Sequence, residues 1–500
     1  MAAIAYSVYI DWDNDGTVDS GAFEANENVS ANVLGMRTSL EFTYGRDTPR
    51  ALSGIQPAEV SFELNNVSKI YSPDNASSAL FGNLGPGKPV LIRATHSAVT
   101  YDLFRGFIDE YNIDPFREAK SVSITAVDIL AKLGGIQVST GLFSGIQTGT
   151  AIGKVLDAAG WSASKRDIDT GDSTVRWWWA DDTTALEAIQ DLVASEGPTA
   201  FAFVDPATGN FVFRGRNHRL LRSASITSQA TFRDTGAEPL FSDPAEYSIG
   251  FRDLINTVII DVDARRAERE QVVWETEDVI NVAASSSVTI PAKADDPFYD
   301  AVVPAEADGA FTVQAGSVAS VSLSRTSGAS TTITVTAGAS ATVIDGMALR
   351  AKPVPVVRSY RIEASDSASI AKYGIQTWEE SELKWVNRYD AQAIADLIIA
   401  QRAERLPVFT ITVKNANDTR KVQMLSRALS DRVTIVEAET STNNTHYIER
   451  ITHAIESVGF AHDTAFACER TRTPSPSDTD IFILNSNVSG HRLDTGKLGG

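Results

Sequence analysis

The densest chemistry in this 500-residue chain lies near its start, where the run DWDNDGTVD sets Asp11, Asp13, Asp15 and Asp19 around Gly16. Four carboxylates at this spacing supply oxygen ligands of the kind calcium takes, and calcium is the only cofactor the sequence suggests. A calcium loop of the EF-hand type draws two more oxygens from a glutamate at its twelfth position. That position is Ala22, Glu24 falls two residues late, and the loop follows a strand-like segment instead of a helix. The competing reading is an acidic β-turn at a strand end, favoured because Asp and Asn side chains bond the backbone two residues on and Gly accepts positive φ.

The remaining candidates are weaker. The histidines are His96, His218, His446, His453, His462 and His491, with no HExxH or similar pair. His446 and His453 are seven apart, which on a continuous strand sends them to opposite faces. No GxSxG elbow occurs, and GNLGPGK at 82–88 lacks the spacing and the Lys-Ser/Thr pair of a phosphate loop, so it reads as a turn into the strand PVLIRAT. Glu379, Glu380 and Glu382 fit a solvated acidic face; glycoside hydrolysis needs two carboxylates about 5 to 9 Å apart in a cleft. Trp177, Trp178 and Trp179 precede a helix; in an extended chain Trp178 points away from its neighbours, so one face suits a core and the other an interface or a sugar platform.

These residues sit on recognisable elements. From Tyr6 to about Leu133, SVYIDW, SLEFTY, AEVSFEL, PVLIRAT, DLFRGFID and SVSITAVD alternate as antiparallel strands, and AVDILAKLGG closes the region with a short helix. Between about 141 and 216 the pattern turns helical in TAIGKVLDAAG and DDTTALEAIQDLVASEG, with Asp181 and Asp182 as N-cap candidates and Gly197-Pro198 as the stop. A hairpin, TAFAFVDPATGNFVFRGR, completes a small α+β module. A second β region begins near Tyr247 and is interrupted by an Ala, Ser, Thr and Val-rich stretch whose alternating segments read as an inserted β-sandwich. A helix at about 389–405 and the strands PVFTITVKN, DRVTIVEAE, THYIERITHAIE and DTAFACERT follow, and the Ser, Pro and Asp-rich end reads as an extended tail.

Composition sets the limits. With 44 Lys and Arg against 64 Asp and Glu the formal charge is −20, which argues against general nucleic-acid or anionic-lipid binding. The single cysteine, Cys468, excludes an internal disulfide framework and a cysteine-based zinc cluster. No apolar run approaches the roughly 18 residues of a membrane helix, and the N-terminus lacks the pattern of a signal peptide, so synthesis in a cytoplasm and no membrane anchor are expected.

Several segments in order resemble actinobacteriophage minor tail proteins of the tail-hub type, the group related to baseplate hub and tail-associated lysin N-terminal regions. They are DWDNDG at 11–16, YGRDTPR at 44–50, FELNNVSKIYSPDN at 62–75, LGPGKPVLIRA at 84–94, LFRGFID at 103–109 and the ITAVDIL closing the region. The helix and hairpin of the module, AQAIADLIIAQRAERLPVFTITV, the strands to Cys468 and the ending HRLDTGKLGG extend the likeness, while about 283–351 lies outside it. The resemblance implies a mainly β chain with an α+β module, in which two barrel-like tube domains form a pseudo-sixfold ring in a homotrimer. The expected division is 1–135, first tube domain; 136–240, α+β module; 241–282 with 352–470, second tube domain; 283–351, inserted β-sandwich; and 471–500, tail. It further implies a hub at the virion tail tip, made in the host bacterial cytoplasm, with the distal tail protein, the tape-measure protein and tip fibres as partners. Phage DNA would pass through its lumen without specific binding, and the −20 charge would suit an acidic wall that repels phosphates. Some relatives carry a peptidase or glycosidase after the hub; this sequence shows no such segment, so no catalysis is expected. The alternatives are a carbohydrate-binding adhesin using the insertion or the tryptophans, and a wall-degrading enzyme with an unrecognised carboxylate pair.

Overall fold

The computed structural model describes residues 3–18, 23–34, 40–48, 54–114, 120–251, 254–380, 383, 385–456 and 461–470. Asp19, His491 and the expected tail at 471–500 lie outside these residues. Strands account for 47% of the described residues and helices for 18%, so the fold is mainly β.

Near the N-terminus, Ala5–Ile10, Pro89–His96, Val99–Asp114, Ser121–Val127 and Glu59–Asn65 lie side by side in that order, all antiparallel. Their alternation buries one face around Val8, Ile10, Trp12, Phe62, Ile92, Phe104 and Ile124. Asp128 caps the helix Ile129–Gly134, accepting from the amides of Leu130 and Ala131, and also takes the Ala58 amide at 2.9 Å.

The module packs the helices Thr148–Ala158 and Ala185–Glu196 around Ile152, Leu156, Ile189 and Leu192. The second helix is not capped at Asp181 or Asp182. Thr184 is its N-cap and forms a reciprocal capping box with Glu187, a Thr-x-x-Glu pattern that satisfies two free amides at once. The hairpin Phe201–Val204 and Phe211–Arg214 reads as continuous apolar runs because both its faces are covered. Ala202, Val204, Phe211 and Phe213 enter the module core, whereas Phe201, Phe203 and Val212 enter the core of the next sheet.

That sheet has eight strands. Thr231–Arg233, Arg432–Glu437, Thr442–Glu456, Ala461–Arg470, Val408–Lys414 and Ser242–Ser248 follow one another, while Leu40–Arg46 pairs with the far half of Thr442–Glu456 and carries Ile55–Gln56. Leu40–Arg46, read from the sequence with the N-terminal β region, is therefore hydrogen-bonded to a strand some four hundred residues later.

The Ser/Thr-rich insertion is an ordered β-sandwich, and its strands run beyond 283–351 at both ends. One layer holds Gln271–Val282, Thr342–Pro353 and Phe298–Val302 with Thr312–Ala315; the other holds Ser287–Lys293, Ser330–Ala337 and Val318–Arg325. Ile333, Val335, Ile344, Leu349 and Phe298 form its core. Between it and the large sheet, Val356–Ser365, Thr257–Arg265 and Thr377–Glu380 make a three-stranded sheet with a separate core. The helix Arg388–Arg402 covers it with Ala391, Ile394, Ala395 and Ile398, the i, i+3, i+4, i+7 stripe of an amphipathic helix.

Candidate functional site

The acidic turn leaves the first strand at Asp11, whose amide donates to Pro89 O at 3.0 Å. Asp11 is buried, and its carboxylate accepts from the amides of Asn14 (2.5 Å), Asp15 (3.2 Å) and Gly16 (3.0 Å). Asn14 and Gly16 adopt φ of 61° and 89°, which aims these amides inward. Asp15 accepts from the amide and the hydroxyl of Thr17 at 2.8 and 2.7 Å. Carboxylate oxygens of Asp11, Asp13 and Asp15 lie within 4.8 Å of one another. Burial, and the neighbouring Asp13, raise the pKa of Asp11, while the three amides oppose the shift. The turn is thus held together by its own backbone amides, and Asp19, the fourth candidate ligand, lies outside the described residues.

The histidines are rearranged by one residue. Ile448 pairs with Cys468 and Ile451 with Phe466, so the strand Thr442–Glu456 carries one extra residue at a bulge beside Glu449. His446 opposite Arg470 and His453 opposite Thr464 therefore share a face, contrary to the parity expected of an unbroken strand. His453 and His462, unrecognised as a pair in the sequence, meet across the hairpin. Tyr6 Oη lies 2.7 Å from His462 Nδ1, His462 Nε2 lies 3.0 Å from His453 Nδ1, and His453 Nε2 lies 3.4 Å from Tyr44 Oη. One neutral tautomer of each ring satisfies the whole chain: Tyr6 donates to His462, His462 to His453, and His453 to Tyr44. Burial pushes His462 down to about 3 and His453 well below the usual imidazole range. This chain fastens the N-terminal strand to the C-terminal hairpin.

The same bulge turns Glu449 into a buried junction. Its two oxygens accept from Arg46 Nε at 3.0 Å and Arg219 Nη2 at 2.7 Å, with all three side chains at most 4% exposed. Arg46 Nη2 also donates to the carbonyl of Ala200 at 3.2 Å, and the Arg219 guanidinium lies over the Tyr447 ring at 4.4 Å. Gly45, at φ 115°, admits this packing: a Cβ there would sit 2.4 Å from Glu449 O. Beside it Ser430 Oγ lies 2.8 Å from His218 Nε2, and His218 Nδ1 lies 2.8 Å from Gly215 O. A carbonyl can only accept, so Nδ1 carries the proton and Nε2 takes the Ser430 hydroxyl hydrogen, the arrangement of a nucleophile with its base. Arg219 Nε, however, donates into the same Oγ at 2.9 Å, and Ser430 is 1% exposed. A hydroxyl so engaged and enclosed serves as a bridge. Residues 212 positions apart gave the sequence no signal for it.

The tryptophan run divides as its parity predicts. Trp178 is buried in the module core, stacked on Phe143 at 5.8 Å. Trp177 stacks on Tyr299 of the sandwich, and Trp179 meets Trp385 edge-on at 5.0 Å under the Arg265 guanidinium. A Cβ on Gly328 would come within 2.2 Å of Trp179, so only glycine allows the sandwich to seat there. The faces of Trp177 and Trp179 thus dock the insertion onto the module.

No protein-family model and no curated protein matches the chain. Among solved structures it is similar to a tail protein from Neisseria meningitidis MC58, at 10% identity over 94% of this chain and 98% of that one, with a TM-score of 0.49. It is also similar to the 43 kDa tail protein of prophage MuSo2 from Shewanella oneidensis, at 11% identity over 94% and 98%, with a TM-score of 0.47. The prophage tail protein gp18 from Listeria monocytogenes EGD-e aligns at 9% identity over 94% and 95%, with a TM-score of 0.42.

Proposed function

We propose that the chain is a structural subunit of a phage tail, the hub at the tail tip, assembled as a homotrimer around the DNA exit channel. The observation that carries this reading is the open side of the eight-stranded sheet. Among the described residues Ser242–Ser248 pairs only with Val408–Lys414, and the chain there exposes Tyr247, Ile249 and Phe251. An unpaired strand edge beside exposed apolar side chains is a template for a neighbouring subunit. The Glu449 junction and the histidine chain bind distant segments into one stiff body, as a load-transmitting part requires. The motif order from DWDNDG to ITAVDIL adds the tail-hub resemblance.

In this role the distal tail protein, the tape-measure protein and the tip fibres are its neighbours, and DNA passes without specific binding along an acidic wall. The Ser430–His218 pair, closed to solvent, accords with a protein that catalyses nothing. Native mass spectrometry tests the assembly: a trimer of 53.8 kDa chains has a mass of about 161 kDa, and a monomer at micromolar concentration overturns the reading. Density of the intact particle tests the position, and a neutral or basic lumen wall would sink the proposed role of the charge.

A further inference from the structure

Where the sandwich, the module and the helix Arg388–Arg402 converge, a cavity of about 300 Å³ is lined by Arg176, Trp177, Tyr360, Trp385, Arg388 and Tyr389, among others. In a chain where acids outnumber bases 64 to 44, many arginines pair with a carboxylate, among them Arg46, Arg93, Arg214, Arg219, Arg402 and Arg420. Of the arginines lining this cavity, Arg265 pairs with Asp296 at 3.4 Å, whereas Arg176 and Arg388 have no such partner among the described residues. Arg388 is held by aromatic groups, its guanidinium 4.6 Å from the Tyr389 ring and 5.6 Å from Tyr360. Arg358 approaches Tyr360 at 4.8 Å. Arg176, Arg358 and Arg388 form no ion pair with an acid among the described residues. Asp263, also in the lining, accepts from Ser359 at 2.5 Å. The Trp177 indole nitrogen is buried and has no hydrogen-bond partner among the described residues, although one face of its ring is stacked on Tyr299. A buried N–H left unpaired is a donor waiting for an acceptor.

We propose that this cleft binds an anionic saccharide, a sugar unit carrying a carboxylate or a phosphate. Guanidinium forks at Arg176 and Arg388 take the anion. The rings of Tyr389, which is 71% exposed, and Trp385 take the apolar face of the sugar, and the Trp177 N–H takes a hydroxyl oxygen. The volume is at the lower end of small-ligand clefts, about 300–1,000 Å³, and suits one or two sugar rings better than a nucleic-acid strand, which needs an extended basic groove. This inference is independent of the hub assignment.

The test is titration of the full chain, followed by tryptophan fluorescence and calorimetry. The probes are a hyaluronan tetrasaccharide, mannose 6-phosphate, the neutral chitotetraose and an oligodeoxythymidine. At least one of the two anionic sugars saturates, which identifies the preferred anion, and chitotetraose binds about ten-fold more weakly or worse, as the loss of charge-assisted bonds requires. Arg388→Gln and Arg176→Gln each weaken binding about ten-fold, and Trp177→Phe weakens it less. Should a variant fail to fold, the wild-type protein still decides: affinity for the anionic sugar falls as salt rises from about 0.05 to about 0.5 M. The proposal is overturned if neither anionic sugar binds, if chitotetraose binds equally well, if affinity ignores salt or both arginine variants, or if oligodeoxythymidine binds more tightly than either sugar.

Discussion

Replacing Glu449 by glutamine tests whether the buried junction holds the molecule together. The side chain keeps its shape and one carbonyl oxygen, so it can still accept from either Arg46 or Arg219, but its amide then faces the other guanidinium. One charge-assisted bond, about 1.5–3 kcal/mol, is lost, and two guanidiniums at most 4% exposed lose their shared countercharge. Breaking a buried pair from one side costs about 3–5 kcal/mol, because the uncompensated charge adds to the loss of the bond. Arg361→Gln provides the contrast. Arg361 reaches Asp261, Glu363 and Glu379 but is half exposed, so solvent screens these pairs and its loss costs far less than that of Glu449. The chain has several cores and is not expected to unfold in a single step. The assay is therefore hydrogen exchange resolved by segment, alongside guanidinium unfolding. E449Q should lose protection in Leu40–Arg46, in Thr442–Glu456 and around Arg219, while the sandwich core keeps its own. A loss below about 1 kcal/mol in those segments, or an equal effect of R361Q, would refute the argument that burial and the bulge make Glu449 decisive.

Three further outcomes follow from the geometry. Gly328→Ala should unseat the sandwich without unfolding it, exposing Trp177 and Trp179 to collisional quenching and the flanking strands to proteolysis; unchanged quenching would contradict the contact at Trp179. His446, pushed down to about 4 by burial, is neutral in the fold yet protonates in the unfolded chain near pH 6.5. The unfolded state thus binds more protons between these values, and His446 removes about 1.4 kcal/mol of stability per pH unit as pH falls through that window. H446L should flatten the acid limb of the stability curve by that amount, and an unaltered limb would show that His446 is not the group titrating. At the acidic turn, calcium at roughly 10 mM, well above the dissociation constants of the weakest modular sites, should leave the melting temperature unchanged while Asp11→Ala lowers it; a calcium-dependent rise of several degrees lost in D11A would instead make the turn a metal site.

Much of the local structure is written in local sequence. Period-two alternation marks Glu59–Asn65 and Pro89–His96, the stripe Ala391, Ile394, Ala395, Ile398 marks a helix, and the tryptophan parity separates Trp178 from its neighbours, because side-chain direction follows from backbone geometry alone. The cap of Ala185–Glu196 was legible too, but in the Thr184-x-x-Glu187 spacing and not in the two aspartates before it.

What the sequence could not state is which faces meet. Periodicity says that Leu40–Arg46 is a strand; only the fold pairs it with Thr442–Glu456, since any complementary edge would satisfy its backbone. The extra residue at Glu449 leaves no local mark. It brings His446 and His453 to one face and delivers a carboxylate to Arg46 and Arg219, because a bulge is defined by the partner strand it fails to match. The Ser430–His218 bridge, the Tyr6–His462–His453 chain and the arginine-lined cleft likewise join residues far apart in sequence. Their chemistry exists only where tertiary packing has removed water and fixed the distances. Thus the amino-acid order determined the strands, helices and charge of this protein, and three-dimensional closure decided which of its polar residues are structural pins and which remain open to a ligand.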